Sequence, residues 1–106
     1  MAIRTQLMLA DDPQAIHAAL VVLRGGGLVA FPTDTVYGLG TLAHDPRGIQ
    51  QLYAVKGRQA EKAIPILLSD VSELAQIASQ VDSRILRLAE RFWPGPLTLV
   101  VPRHAS

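Results

Sequence analysis

The chain contains no cysteine, which removes disulfide scaffolding, thiolate zinc sites and thiol nucleophiles together. That absence fits a cytoplasmic protein, and the cytoplasm is the expected location. No run of 18 apolar residues occurs, so no segment reads as a membrane-spanning helix. The N-terminus MAIRTQLML has neither the apolar core nor the small-residue cleavage site of a secretory signal. Charge is scarce as well. Charged residues make up 18%, and 10 Lys and Arg against 9 Asp and Glu leave a net charge of +1. The bulk positive excess of a nucleic-acid binder is therefore missing, and any polyanion contact has to come from a local patch. What the sequence does have is apolar material. Hydrophobic residues are 49% of 106 positions, enough for one domain with a small core. Little charge on that apolar content predicts some surface that expects a cover.

Local signals divide the chain cleanly. Asp12-Pro13 pairs an N-cap residue with a first-turn proline. Ile16, Leu20 and Leu23 follow at helical spacing, and Gly25 ends the helix after Arg24. The apolar run from Leu28 to Phe31 predicts a buried strand stopped by Pro32. Residues 33–44 read as loop with a short strand near 39–43. Asp45-Pro46 repeats the cap and proline, and a helix from there aligns Ile49, Leu52 and Tyr53 before Gly57 stops it. Residues 64–68 predict a second strand, weakened at its start by Pro65. Ser69 or Asp70 caps a short helix to Ile77, Asp82 or Ser83 caps another to Phe92, and residues 97–101 predict a third strand. Strands alternating with helices indicate an α/β layer structure. Three strands make a poor sheet of that kind, so the 106 residues are expected to be the front of a larger domain, or to have their sheet completed by a partner.

Several groups of residues invite a chemical reading. Gly25-Gly26-Gly27 lacks a following Gly-Lys-Ser/Thr and precedes a strand, so it reads as a helix cap and turn rather than a phosphate loop. Gly38-x-Gly40-x-x-Ala43 fits a loose dinucleotide fingerprint, but the next helix begins too late to receive a pyrophosphate. The loop from Pro32 to Gly38 is richer. Thr33, Asp34, Thr35 and Tyr37 supply two hydroxyls, a carboxylate and a phenol after a buried strand, and such groups suit an amino-acid ligand. The same hydroxyls equally well hydrogen-bond their own turn. Lys56, Arg58 and Lys62 lie within seven residues, offset only by Glu61. Flexible ammonium groups beside a forked guanidinium match phosphate oxygens, although a solvated basic loop is the commoner origin of such a cluster. Arg84, Arg87 and Arg91 share one helical face, most simply as a solvated stripe and secondarily as an RNA contact. His17, His44 and His104 have no partner at metal-ligand spacing, so no metal ligands are predicted. No serine triad or other nucleophile emerges, so no catalytic residue is assigned. A reaction here would rest on positioning and charge stabilisation, as at a phosphoryl centre.

Three blocks together resemble the YrdC-like family, the threonylcarbamoyl-AMP synthases: GGLVAFPTDTVYGLG at 26–40, the helix leading into KGR…K at 53–62, and FWPGPLTLV at 92–100. The resemblance implies a twisted mixed α/β sheet flanked by helices, with residues 1–106 forming the N-terminal part of a single, incomplete domain. It also implies formation of threonylcarbamoyl-AMP from L-threonine, bicarbonate and ATP, with Mg²⁺, for the threonylcarbamoyladenosine modification of tRNA carried on by partner proteins. Carried over by position, Thr33 and Thr35 would bind the threonine, and Lys56, Arg58 and Lys62 the ATP phosphates. Gln59 stands where the family usually has proline, and Leu67 where some relatives have histidine. No Ser-x-Asn, the family's downstream nucleotide-pocket signature, occurs, which predicts weak ATP binding by one wall of a pocket. Two other functions fit the same fold: an RNA-binding module for double-stranded RNA or tRNA, and the carbamoyl-transfer domain of hydrogenase maturation. The second of these is usually preceded by cysteine-rich fingers.

Overall fold

The computed structural model describes residues 4–57 and 63–104, and the chain divides into two compact units, Met1–Ile64 and Pro65–Ser106. In the first unit, Asp12 closes a turn by accepting the Gln14 N–H on Oδ1 at 2.8 Å and the Ala15 N–H on its carbonyl at 3.0 Å. Helix α1 (Ala15–Arg24) starts only after this turn, with Gln14 at the N-cap position. The start is later than the Asp12-Pro13 pair predicts: the turn after Asp12 closes with an i to i+3 bond, and Gln14 accepts the i to i+4 bond from the Ala18 N–H. The half-buried stripe of α1 is Ala15, Ala18, Ala19 and Leu23, at helical spacing. Ile16, expected inside, is 76% exposed. Gly25 donates to the Val21 carbonyl and Gly27 to the Val22 carbonyl, so the triple glycine is the cap and chain reversal that its position predicts.

Strands β1 (Val29–Phe31) and β2 (Gly38–Gly40) pair antiparallel, with Val29 opposite Gly40, Ala30 opposite Leu39 and Phe31 opposite Gly38. Helix α2 (Pro46–Lys56) follows. Asp45 Oδ1 accepts the Arg47 and Gly48 N–H groups at 3.1 and 3.2 Å, and Pro46 sits where its missing N–H costs nothing. Gly57 ends α2 at φ 64°, in the left-handed region that glycine enters without a Cβ clash. Leu52 is buried on the inner face of α2 beside buried Gly48. A Cβ on Gly48 would stand 2.1 Å from Thr41 Oγ1, and that hydroxyl donates to the Gly27 carbonyl at 3.2 Å. Thr41 therefore occupies the notch in α2 and links the helix to the glycine turn.

The second unit is organised by caps. Asp70 opens one turn of 3-10 helix (Val71–Glu73) through a capping box: its carboxylate accepts the Ser72 N–H, and Glu73 Oε1 accepts the Ser69 and Asp70 N–H groups at 2.8 and 3.0 Å. The short helix α3 (Leu74–Ile77) continues from it. Helix α4 (Ser83–Phe92) is capped by Asp82, whose Oδ1 accepts the Arg84 and Ile85 N–H groups at 2.9 and 3.0 Å. Leu74, Ala78 and Ala89 are the buried hydrophobic residues described in this unit.

Residues 64–68 and 97–101, expected as strands, form none among the described residues. An apolar extended segment becomes a strand only when a neighbour completes its ladder, and Pro65 has no N–H to offer. The groups of the last segment go elsewhere. Trp93 Nε1 donates to the Leu97 carbonyl at 2.7 Å. Arg103 forms an isolated antiparallel bridge with Ala78, Ser79 donates to the Pro102 carbonyl, and the His104 N–H donates to the Ile77 carbonyl. The apolar residues left uncovered include Leu67 at 76% and Val100 at 96% exposure.

Candidate functional site

The connection between β1 and β2 carries the predicted hydroxyls. Phe31, at the end of β1, lies against β2: a Cβ on Gly38 would stand 3.0 Å from its ring and one on Gly40 3.1 Å. Two glycines thus give the ring its seat, and the loop that follows Phe31 starts from a fixed base.

Within that loop, Thr33 Oγ1 accepts the N–H groups of Thr35 at 3.3 Å and Val36 at 3.2 Å, and donates its own hydrogen to the Val36 carbonyl. A hydroxyl has one hydrogen and two lone pairs, so Thr33 has filled its capacity inside the turn. The Thr35 hydroxyl makes no hydrogen bond to a described residue. Asp34, Thr35, Val36 and Tyr37 are all exposed. Both predicted threonines therefore belong to one turn, one as its internal tie and the other with a hydroxyl bonded to no described residue.

Lys56 is the last residue of α2 and is exposed. A cation there complements the partial negative charge of the helix end. Arg58 and Lys62, the other two predicted phosphate contacts, lie outside the described residues, as does Gln59. Leu67, which the resemblance expects where some relatives have histidine, is exposed on an extended segment.

Surface hollows open among the described residues of the second unit. One, of about 530 Å³, is lined by Arg84, Arg87, Leu88, Arg91 and Phe92. The predicted arginine stripe therefore borders apolar surface rather than standing alone in solvent. Arg84 pairs with Asp82 at 3.1 Å, and Arg91 lies 5.9 Å from the centre of the Phe92 ring. Another hollow, of about 500 Å³, lies between the 3-10 turn and α4, where Val71, Leu74, Val81 and Leu86 meet Ser72 and Glu90. No sequence pattern announced it, because its walls come from three separated segments. Thr33, Thr35 and Lys56 line neither hollow.

Three carboxylates of this unit are held below their ordinary range. For Asp70 the main cause is the hydrogen bond from the Ser72 hydroxyl, for Glu73 that from the Ser69 hydroxyl, and for Asp82 that from the Ile85 N–H with the Arg84 guanidinium next. All three are cap residues, so their charge serves helix starts. Among the described residues no group of three His, Asp or Glu side chains stands close enough to hold a metal ion. No described helix is long and apolar enough to cross a membrane.

Comparison with known proteins extends this picture. The Sua5/YciO/YrdC family model, described as telomere recombination, matches residues 21–106. A threonylcarbamoyl-AMP synthase from Pyrococcus abyssi is 43% identical over 88 residues, covering 83% of this chain and 26% of that protein. One from Bacillus subtilis is 38% identical over 98 residues, covering 92% of this chain and 28% of that protein. The crystal structure of P. abyssi Sua5 complexed with L-threonine superposes with a TM-score of 0.81 at 42% identity, over 85% of this chain and 26% of that one. The chain thus spans roughly a quarter of the length of these relatives.

Proposed function

Because the chain belongs to the Sua5/YciO/YrdC family, we propose that it carries the threonine and phosphate-binding front of a threonylcarbamoyl-AMP synthase. The supporting observation is its likeness to the L-threonine-bound Sua5, at 42% identity and a TM-score of 0.81. L-threonine, bicarbonate and ATP are the substrates in this proposal. The product, threonylcarbamoyl-AMP, is passed to the tRNA-modifying partner proteins, and pyrophosphate leaves.

The residues divide the work by their chemistry. The turn of Thr33 and Thr35 supplies hydroxyl oxygen to accept from the ammonium of L-threonine and hydroxyl hydrogen to donate to its carboxylate, Thr33 by exchanging bonds within the turn for bonds to the ligand. Lys56, Arg58 and Lys62 supply positive charge to the triphosphate, where charge-assisted hydrogen bonds are stronger than neutral ones. Mg²⁺ enters with ATP as part of the substrate and shares the phosphate charge with these cations. None of these side chains attacks the substrate. They hold an amine, a carboxylated carbon and a phosphoryl group in reach of one another and stabilise the charge that moves onto the leaving pyrophosphate.

Calorimetric titration of the full chain with Mg·ATP and with L-threonine tests the proposal. Arg58→Ala should weaken ATP binding by about 10-fold or more, the effect of losing a hydrogen bond to a charged group, and leave L-threonine binding intact. Equal ATP affinity in the variant and the parent would remove Arg58 from the site. A second function, contact with RNA through α4, draws on the exposed Arg84, Arg87 and Arg91 around Leu88 and Phe92. Its test is the salt dependence of RNA binding.

A further inference from the structure

We infer that Thr41, seated in the Gly48 notch, is a positioning residue: it sets the tilt of α2 against the β1–β2 pair, and with it the spacing between the hydroxyls that follow β1 and the cationic end of α2. The inference rests on the proposed function for its two ligands, L-threonine and the ATP phosphates. The geometry it uses lies wholly within the first unit.

Three segments meet at this residue. Thr41 directly follows β2, and its hydroxyl donates to the carbonyl of Gly27, 14 positions back, at 3.2 Å. Gly27 is itself fixed: its N–H donates to the Val22 carbonyl of α1 at 2.9 Å, and a Cβ there would stand 2.7 Å from Val22 Cγ1. The same glycine turn touches the start of α2, where a Cβ on Gly26 would stand 3.4 Å from Asp45 Oδ2. Thr41 is thus tied to the glycine turn and α1 on one side and presents its oxygen to α2 on the other. It cannot rotate that oxygen out of the notch without losing the bond to Gly27.

Helix α2 has two buried positions, Gly48 and Leu52, one turn apart. Two points of support define the tilt of a helix, and the first leaves no room. A methyl at position 48 would stand 2.1 Å from Thr41 Oγ1, so the helix would retreat by about 1 Å to reach contact distance. Leu52 lies about 6 Å along the axis, so that retreat is a tilt of about 10° about Leu52. Lys56, about 6 Å beyond Leu52, then swings by about 1 Å in the opposite sense. The turn of Thr33 and Thr35 does not follow, because it is borne by β1 and β2. A misplacement of about 1 Å between groups that must meet neighbouring ligands can cost about 100-fold. The notch therefore governs the proposed site although neither Thr41 nor Gly48 belongs to it.

Two measurements on the full chain test this. Residual dipolar couplings of the backbone N–H groups give the tilt of α2 against β1–β2 with no ligand present. Calorimetry gives the affinity for L-threonine alone, for Mg·ATP alone, and for Mg·ATP when L-threonine is saturating. A single ligand can follow the half of the site that holds it, whereas two ligands together require the halves to match. Gly48→Ala should tilt α2 by about 10°, leave each ligand alone within about 3-fold of the parent, and weaken Mg·ATP binding to the threonine-loaded protein by about 10-fold or more. Adding Thr41→Ala empties the notch and should restore both the tilt and the joint binding. Thr41→Ser keeps the oxygen and should match the parent. If Gly48→Ala does not fold, Thr41→Val takes its place: it cuts the bond to Gly27, and should broaden the range of α2 tilts and weaken joint binding. A residue that serves stability alone would lower the melting temperature and leave tilt and joint binding in the folded protein unchanged, which overturns the inference. A changed tilt with joint binding intact, or a double variant that recovers neither, overturns it as well. A parent that binds neither ligand removes the proposed function, and the dipolar couplings then decide alone whether Thr41 sets the tilt.

Discussion

Replacing Gly48 with alanine should destabilise the protein, although the same change in most helices does the opposite. In an exposed helix interior, alanine is favoured over glycine by about 1 kcal/mol, because glycine loses more backbone entropy. At position 48 the new methyl would stand 2.1 Å from Thr41 Oγ1 and 3.2 Å from Thr41 Cβ. Rotating the hydroxyl away would relieve the first contact but not the second, and would break the 3.2 Å bond from Thr41 to the Gly27 carbonyl. Overpacking of this kind costs about 1–3 kcal/mol, and the lost bond about 1 kcal/mol more. Setting the helical gain against these leaves a net loss of about 1–3 kcal/mol. For a unit of this size that is a fall in melting temperature of about 4–20 °C, measurable by circular dichroism. The double variant Thr41→Ala with Gly48→Ala removes the clashing oxygen, so its loss should be smaller than the sum of the two single losses. A melting temperature raised by Gly48→Ala, or strictly additive losses in the double variant, would show that Thr41 does not fill the notch. The consequence would reach the proposed site, because α2 carries Lys56 on its last turn.

Acid should loosen the 65–104 unit at its helix starts. Asp70, Glu73 and Asp82 are all held below their ordinary range, so their contribution is complete above the usual carboxylate range of roughly pH 4 and is lost as pH falls through the lowered values. Helicity followed by circular dichroism should decline below about pH 4 and decline less in Asp70→Asn with Glu73→Gln, and matching acid limbs would refute the assignment. If RNA binds through Arg84, Arg87 and Arg91, three phosphate contacts predict an affinity loss of about 15- to 40-fold between 50 and 200 mM salt. Arg87→Ala should flatten that slope by about one contact, and a slope unchanged by the substitution would exclude this face.

Much of the local structure was legible from short-range chemistry. Asp45, Asp70 and Asp82 were readable as caps because a carboxylate next to free N–H groups satisfies them within a few residues. Gly57 stops α2 for an equally local reason, the absence of a Cβ. The PTDTVYGLG and KGR blocks fixed the family because residue identity along the chain is all that such a match requires. Facts that depend on where the chain comes back were not legible. Ile16 and the alanines of α1 are all apolar on paper, and the three-dimensional packing chose which stripe is covered. Residues 64–68 and 97–101 have strand composition, yet a strand requires a hydrogen-bonded neighbour and none is described for them. Thr33 and Thr35 look interchangeable in the sequence. Only the folded turn ties down the hydroxyl of one and leaves the other's without a bond to any described residue, because a hydrogen bond depends on the position of its partner and not on residue type alone.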